Sequence, residues 1–483
     1  MKTQRDTVLH FLYHRYGSAP DTAVYEAIDT ARDWWAGRYE PFHVFTETGQ
    51  HMSPIRREMY KMGMAKKICE DWATILVNDR TNLRCDDAQT AAVLFGDRFG
   101  VGGILTHGNF WGRLNTLTEE TFALGTGAAV AHFTDAVCGE DGFMTSAGAM
   151  ELSFCTADQI FPMRCEGGEV VCCAFLGTWS GKRPERVPKD VPLLFLTVHE
   201  KIRRGKLLSW KVENYLIAVD GSETGRALPL PGGILKSFFS PVPLFALLTP
   251  NLVPCESVLR ENGMGASVFA SAYDNLKGVD LAYNNFCRDL FLGGKKVFLN
   301  QNLVQEDAYG RRIAPDDVAQ QLFMTVGDGD LAADTMIMEH NPQLRAEENT
   351  AAVQAQLDYL SFKVGFGTRH YRFSGDTVVT ATQYAGDKQE LLQHAMKHYL
   401  HMECFLRCLT DMAYYYASCL CGYMLAPLGR ITVDFDDSFF IDPTAERERD
   451  LREVAAGLLS KWEYRMKYYG ESEDAAKHAL ASL

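Results

Sequence analysis

The strongest candidates for chemistry fall on one stretch of the chain. His394, His398 and His401 recur at i, i+4 and i+7, which sets three imidazoles along one helix face with Glu403 close by. That donor set suits a transition-metal ion. The zincin pattern of two histidines around a glutamate is absent, because Ala395 follows His394, and a polar helix face turned to solvent or DNA is the competing reading. Cys404 and Cys408, also four apart, are read as small apolar packing residues. Leu124-Gly125-Thr126-Gly127-Ala128 could offer main-chain N–H groups to a phosphate. It lacks a third glycine, a Lys-Ser/Thr ending and a clear preceding strand, so a tight packing turn is the favoured reading. Asp434, Asp436, Asp437 and Asp442 form an acidic turn that could ligate calcium or magnesium without matching the EF-hand pattern; a solvated or subunit-facing loop competes with that. No Ser-His-Asp or Cys-His set emerges from spacing. The expectation is therefore no catalytic residue, no metal and no cofactor, in a structural chain rather than an enzyme.

Several elements would carry these residues. Ser53-Pro54 reads as a helix N-cap and first turn, opening a helix from Ile55 to about Val77. Between about Thr90 and Val253 short β-rich runs alternate with turn signals such as Gly167-Gly168 and Asp220-Gly221. Leu228–Pro254 is proline-rich and reads as an irregular crossing. From Ser267, the series Phe269, Ala272, Leu276, Val279, Tyr283, Phe286, Leu290 alternates steps of three and four, a continuous helical stripe closed by Gly293-Gly294. Asn341-Pro342 is read as the start of a second helix, with Ala346, Thr350, Val353, Leu357, Leu360 and Val364 on its stripe and Gly365 as its end. Between these two helices lies a small turn-rich module. Asp387 with Glu390 resembles a capping box opening a long helix to Cys421. A short strand at 431–435 and two helices from Ala445 complete the chain.

The bulk numbers fit this. A chain of 483 residues, 47% hydrophobic and 23% charged, has the composition of a globular protein long enough for about three domains. Its net charge of −14, from 62 acidic and 48 basic residues, argues against DNA wrapping and allows a surface along which DNA slides. Thirteen cysteines without framework spacing, and a polar Met1–Tyr13, lead to an expectation of reduced thiols in a cytoplasm. The longest apolar stretch, Met412–Leu428, falls short of the roughly 20 residues a membrane-spanning helix needs.

Motifs in order along the chain resemble one family. They are Trp34–Tyr39, Met62–Ala73, Leu124–Ala128, Asn262–Phe269 leading to Ala272, Leu276 and Asp280, Gly294–Phe298, and Thr380–Gln383. Each is weak alone. Together they resemble the portal proteins of tailed phages of Gram-positive bacteria, similar to the portal of a Bacillus siphophage.

The resemblance implies an α+β portal fold with wing, helical stem, β-containing clip, tunnel loop with long helix, and a small helical crown. The implied divisions are 1–89 (N-terminal helical part of the wing), 90–266 (α/β wing), 267–292 and 342–365 (stem), 293–341 (clip), 366–383 (tunnel loop), 384–427 (long helix) and 428–483 (crown). Stem packing would fall to Phe269, Leu276, Val279, Tyr283, Phe286, Val353, Leu357 and Leu360. Lys295, Lys296, Arg311 and Arg312 would serve clip docking, and Thr368, Arg369, His370, Arg372, Asp376 and Gln383 would approach DNA. The basic and aromatic loop 367–372 departs from the acidic or small wall that a frictionless channel favours.

The implied function is a ring, usually of twelve copies, at one capsid vertex. Its partners would be the terminase large subunit, a head-completion or adaptor protein, major capsid and scaffolding proteins, and double-stranded DNA read without sequence specificity, with no membrane. It would reside in the virion, after assembly in the host bacterial cytoplasm. On this reading Leu276→Asp or Leu357→Asp gives soluble protein impaired in ring assembly. The alternative is an intracellular enzyme holding a phosphate-bearing ligand on Leu124–Ala128.

Overall fold

The computed structural model describes residues 2–48, 54–78, 80–96, 102–179, 181, 183–184, 187–205, 207–300, 305–306, 309, 312–313, 323–326, 337–373, 381–435, 443–469 and 473–481. Helices and sheets both contribute, so the fold class is α+β. The chain divides into two compact units, each drawn from separated stretches of sequence.

The first unit comprises Met1–Arg32, Lys66–Ser271 and Val379–Leu483. Its centre is an antiparallel sheet in which Leu207–Ala218 and Leu193–Arg204 pair along twelve residues, with Glu169–Thr178 and Ile160–Glu166 beyond them. Gly167 and Gly168 both take positive φ, as a two-residue hairpin between Ile160–Glu166 and Glu169–Thr178 requires. A second sheet joins Gly127–Phe133 to Phe245–Leu248 and Met150–Thr156, all antiparallel. The amphipathic helix Met64–Leu76 buries Ile68, Cys69, Trp72, Ala73 and Leu76 on one face. Helix Ala381–Tyr415 buries Leu391, Ala395, His398, Met402, Phe405, Leu406, Leu409, Met412 and Ala413 at helical spacing.

The second unit comprises Asp33–Ala65 and Ala272–Val378. Helices Tyr273–Leu292 and Ala346–Lys363 pack side by side. Strand Lys296–Asn300 leaves the first helix and pairs antiparallel with Ile337–His340, which leads towards the second, so the helices run antiparallel. Phe323–Val326 joins Lys296–Asn300 in parallel.

Six expectations are corrected. Ser53-Pro54 does not open a helix: Pro54–Glu58 is a strand paired with Val44–Thr48, and the helix starts at Met64 after Gly63 in the left-handed region. Pro54 faces Thr48 at the end of that ladder, where a missing N–H costs little. The segment 1–89 is thus not all helical, since Asn82–Cys85 is also a strand. The stem stripe begins late, because Val268 donates its N–H to the carbonyl of Phe122 (2.9 Å) and holds 267–269 in the first unit. Phe269 is fully buried there and lies before helix Tyr273–Leu292. Asn341-Pro342 does not cap the second helix, which begins at Ala346. The long helix starts at Ala381, so Gly386 and Asp387 lie inside it; one glycine costs about 1 kcal/mol, which a helix of 35 residues absorbs. Three helices close the chain (Pro443–Ala455, Lys461–Tyr469 and Glu473–Ala481), not two.

Candidate functional site

The helix pair of the second unit carries seven of the eight residues expected to pack the stem, all but Phe269. Leu276 and Val279 on one helix, and Val353, Leu357 and Leu360 on the other, are at most 2% exposed. Tyr283 and Phe286 are half-buried, and Phe286 meets Phe373 edge-on at 5.9 Å. Gly278 lies under Gln356, where a Cβ would collide with the amide oxygen. At the far end the Asp289 carboxylate accepts from the Arg345 backbone N–H (3.3 Å), the Arg345 guanidinium (3.1 Å) and the Asn349 amide (2.9 Å). It thereby caps the second helix from across the pair and complements its dipole. The Arg345 bond in turn holds the Asp289 carboxyl below its ordinary range.

Sequence reasoning missed a second feature of Tyr273–Leu292. Asp280 and Asn284, one turn apart and both buried, bind the chain that leaves the hairpin: Met62 N–H donates to Asp280 (2.8 Å) and Tyr60 N–H to Asn284 (3.1 Å). His43 Nε2 lies 2.9 Å from the other oxygen of Asp280. A buried carboxylate is tolerated because each oxygen has a partner. The available signal was polar residues at i, i+4 next to an apolar stripe.

The outer side of Ala346–Lys363 is apolar as well. Ala351, Ala352, Ala355, Tyr359 and Phe362 form one exposed stripe opposite Val353, Leu357 and Leu360. Tyr359 is 64% and Phe362 56% exposed, and Leu281 on the other helix is 45% exposed. Small residues at one end and aromatic ones at the other give a surface that another helix can approach closely. The stripe Leu276, Val279, Val353, Leu357, Leu360 is therefore the chain's own core. Leu276→Asp or Leu357→Asp would strip the pair itself, so neither isolates an assembly defect.

A turn-rich loop follows. Gly365 and Gly367 take positive φ, and Arg369 does so at +65°, which costs a non-glycine residue about 1 kcal/mol. Gln354 holds the loop, accepting from Phe373 N–H (2.8 Å) and donating to the Tyr371 carbonyl (2.9 Å). His370 stacks on Phe366 at 4.4 Å, and Tyr371 is buried beside them. Thr368, Arg369, His370 and Arg372 are exposed. Asp376 lies outside the described residues, and Gln383 falls within helix Ala381–Tyr415 with its side chain outside them. Lys295 pairs with Glu339 at 2.5 Å, and Lys296 is half-exposed. Arg311 lies outside the described residues, and Arg312 is placed only as a strand residue opposite Glu306.

The residues that might have done chemistry are not brought together. His398 is buried between Trp72 and Phe122 (ring centroids 4.8 and 4.9 Å), and its Nδ1 accepts from Asn251 N–H at 3.1 Å. Burial pushes it down to about 3, so it is a neutral core imidazole. His401 Nδ1 is engaged by Thr249. No cluster of metal-binding side chains occurs among the described residues. Cys404 is exposed rather than packed, while Cys408 is half-buried; all thirteen cysteines are free. Asp434 ends a strand and pairs with Arg84, and 436–442 lie outside the described residues.

The turn at Leu124–Ala128 runs from helix Phe110–Leu124 into strand Gly127–Phe133, the reverse of a phosphate loop. A Cβ on Gly125 or Gly265 would strike the other's carbonyl, and Thr126 Oγ1 accepts from Gly265 N–H (2.9 Å). The space a phosphate would need is filled by the chain itself. The enzyme alternative loses its site.

No family model and no curated protein matches the chain. Among solved structures it is similar to a chain from the neck of a native GTA particle computed with C12 symmetry, at 13% identity and TM-score 0.36. It is also similar to one from the neck of an empty GTA particle computed with C6 symmetry, at 13% identity and TM-score 0.37. Each comparison covers 83% of this chain and 88% of the other.

Proposed function

We propose that this chain is the ring subunit of a phage portal, forming the channel at one capsid vertex through which DNA is packaged and ejected. The observation that carries this reading is the two-sided helix Ala346–Lys363. One apolar face closes the chain's own helix pair, and the other is exposed; on this reading a second copy covers it. The order of portal-like motifs along the sequence and the acidic balance of −14 support the same reading.

In this proposal the helix pair is the stem, and neighbouring copies, twelve by family analogy, pack through Tyr359, Phe362 and Leu281. The module at 293–341 docks the terminase large subunit during filling and a head-completion protein afterwards, with Lys295, Lys296, Arg311 and Arg312 as contacts. The loop bearing Thr368, Arg369, His370, Arg372 and Asp376, with Gln383, approaches the duplex, and the packaging motor supplies the energy. Net negative charge keeps the duplex from adhering over the roughly 8–10 Å on which electrostatics act at physiological salt. The product resides at the virion's portal vertex.

Negative-stain electron microscopy of the purified chain tests the proposal. Rings with a central hole wide enough for duplex DNA are expected. Monomers that stay monomeric at high concentration, with or without capsid and scaffolding proteins, would overturn it.

A further inference from the structure

A closed ring needs two different faces on each subunit, because every contact joins one patch to another. On the portal reading, on which this inference rests, the outer face of Ala346–Lys363 is one of them. The other lies on the opposite flank of the same unit, where helix Tyr273–Leu292 is the middle layer. That helix meets Ala346–Lys363 through Gly278, which lies under Gln356, and Asp289, which binds Arg345 and Asn349. It holds the segment 43–62 through Asp280 and Asn284. At about 100° per residue, Asp280 lies about 160° round the helix from Gly278, and Asn284 about 140° from Asp289. Arg288, one turn after Asn284, continues that side and bonds Glu47 of the hairpin at 3.1 Å. The hairpin Val44–Thr48 with Pro54–Glu58 therefore belongs to the flank turned away from Ala346–Lys363.

The two flanks match level by level. Residue 289 stands beside 345 and 349, and 278 beside 356, so in this antiparallel pair 288 is level with 348 and 284 with 352. A ring whose axis runs along the pair keeps those levels between neighbours. At the first level Arg57 and Arg288 share one carboxylate, Glu47 (2.8 and 3.1 Å), which leaves one positive charge in excess. Both side chains reach solvent, 52% and 38% exposed. The adjoining cleft, about 350 Å³, holds four basic side chains against Glu40 and Glu58, and its Arg38 pairs with no carboxylate among the described residues. Level with this basic flank, on the outer face of Ala346–Lys363, stands Glu348. It is exposed, has no basic partner among the described residues, and heads the series Ala352, Ala355, Tyr359, Phe362 in steps of four and three. At the second level Tyr60, bonded through its N–H to Asn284 and 51% exposed, is matched by Ala351 and Ala352, whose small side chains leave room for a ring.

We propose that the hairpin flank of one copy receives the outer face of Ala346–Lys363 of the next. Glu348 of one copy sits against Arg57 and Arg288 of its neighbour, and Tyr60 of that neighbour covers Ala351 and Ala352. An acidic residue in the first turn also suits the helix dipole, but the dipole does not explain a basic flank at the same level. The charge match sets which faces meet, and at what height.

Two charge-reversed full-length chains, Arg57→Glu and Glu348→Arg, test this by light scattering. Each alone sets like charges against each other at every contact, and should form rings only at about tenfold higher concentration. Their equimolar mixture should assemble at the concentration of the original chain. In an alternating ring every contact then joins opposite charges, a rescue that no effect within one chain can give. Glu348→Gln removes no bond within its own chain, so it should melt like the original and need about threefold more protein to form rings. The inference is overturned, with the portal reading intact, if the original forms rings and either reversed chain or Glu348→Gln forms them at the same concentration. Failure of the mixture to recover, with both chains melting like the original, overturns it as well. An original chain that forms no rings overturns the portal reading and this inference with it.

Discussion

Replacing Phe362 by Lys separates assembly from folding. Phe362 is 56% exposed on the outer face of Ala346–Lys363, whereas Leu357, five residues earlier, is 1% exposed on the inner face. An aromatic side chain covers about 150–250 Å², so roughly 100 Å² of Phe362 is open to a neighbour. At about 25 cal/mol per Å² its burial contributes about 2–3 kcal/mol per subunit contact, two orders of magnitude in association. Lysine forfeits that and would also have its charge desolvated. In the monomer the change is mild, since a surface substitution moves stability by about 0.5 kcal/mol or less and a cation in the last helical turn is favourable. Leu357→Ala, by contrast, should cost about 2–5 kcal/mol and lower the melting temperature. Light scattering after size exclusion, beside thermal melts of both variants, gives the comparison. Phe362→Lys is expected to melt like the original and fail to form rings. Rings of original size at the same concentration would refute the reasoning, as would a drop in melting temperature matching that of Leu357→Ala.

Four further outcomes follow from the structure. Burial holds His199 and His398 down to about 3 and His132 to about 4, while in the unfolded chain each titrates near 6.5. The unfolded state therefore binds more protons below pH 6.5, so stability present at pH 7 falls as pH drops towards 4, by about 2 kcal/mol per histidine at pH 5. Urea melts at pH 7.5 and 5 measure this, and coincident curves would refute it. Asp280→Ala leaves the Met62 N–H and His43 without their partner and should cost about 2–4 kcal/mol, read as a lower urea midpoint; an unchanged midpoint would count against the buried cluster. Gly125→Ala forces a residue into φ +89° against the Gly265 carbonyl and should destabilise by more than about 1 kcal/mol. A phosphate or nucleotide should leave the melting temperature of the original chain unchanged, and stabilisation by ATP would revive the enzyme reading.

The α+β class and the antiparallel helix pair were legible because their signals are periodic and local. Leu276 and Val279, or Val353, Leu357 and Leu360, cannot sit otherwise on a helix with one buried side. The hairpin Val44–Thr48 with Pro54–Glu58 was not legible for the converse reason. All five residues of its second strand are exposed, so no alternation marks it, and Ser53-Pro54 satisfies the rules for a helix start equally well. Phe269 shows a third kind of failure. Its spacing fits the helical stripe, but the bond from Val268 to Phe122 keeps 267–269 out of the helix, which starts only at Tyr273, and only tertiary contacts reveal that. The division of the chain into units built from distant segments is hidden in the same way. Within the second unit Asp280 and Asn284 bind the segment at 60–62, and a polar pair beside an apolar stripe reads equally well as a solvated flank.

The candidate site was half legible, and the missing half bears directly on function. A search for one apolar stripe on Ala346–Lys363 finds Val353, Leu357 and Leu360 and then stops, because that stripe accounts for folding. Ala351, Ala352 and Ala355 pass as ordinary helix formers, and Tyr359 and Phe362 as scattered surface residues. Only when both faces are laid out does the helix appear apolar on two sides, which a helix in a free monomer has no reason to be. The same layout dissolves the histidine array. His398 belongs to the core and His401 is held by Thr249, so i, i+4, i+7 spacing placed them on one helix without giving them one environment. A shared face is decided by what packs against it. For the histidines that packing is inside the chain, and for Tyr359 and Phe362 no part of the described chain supplies it. That asymmetry is why assembly, rather than catalysis, is the function to test first.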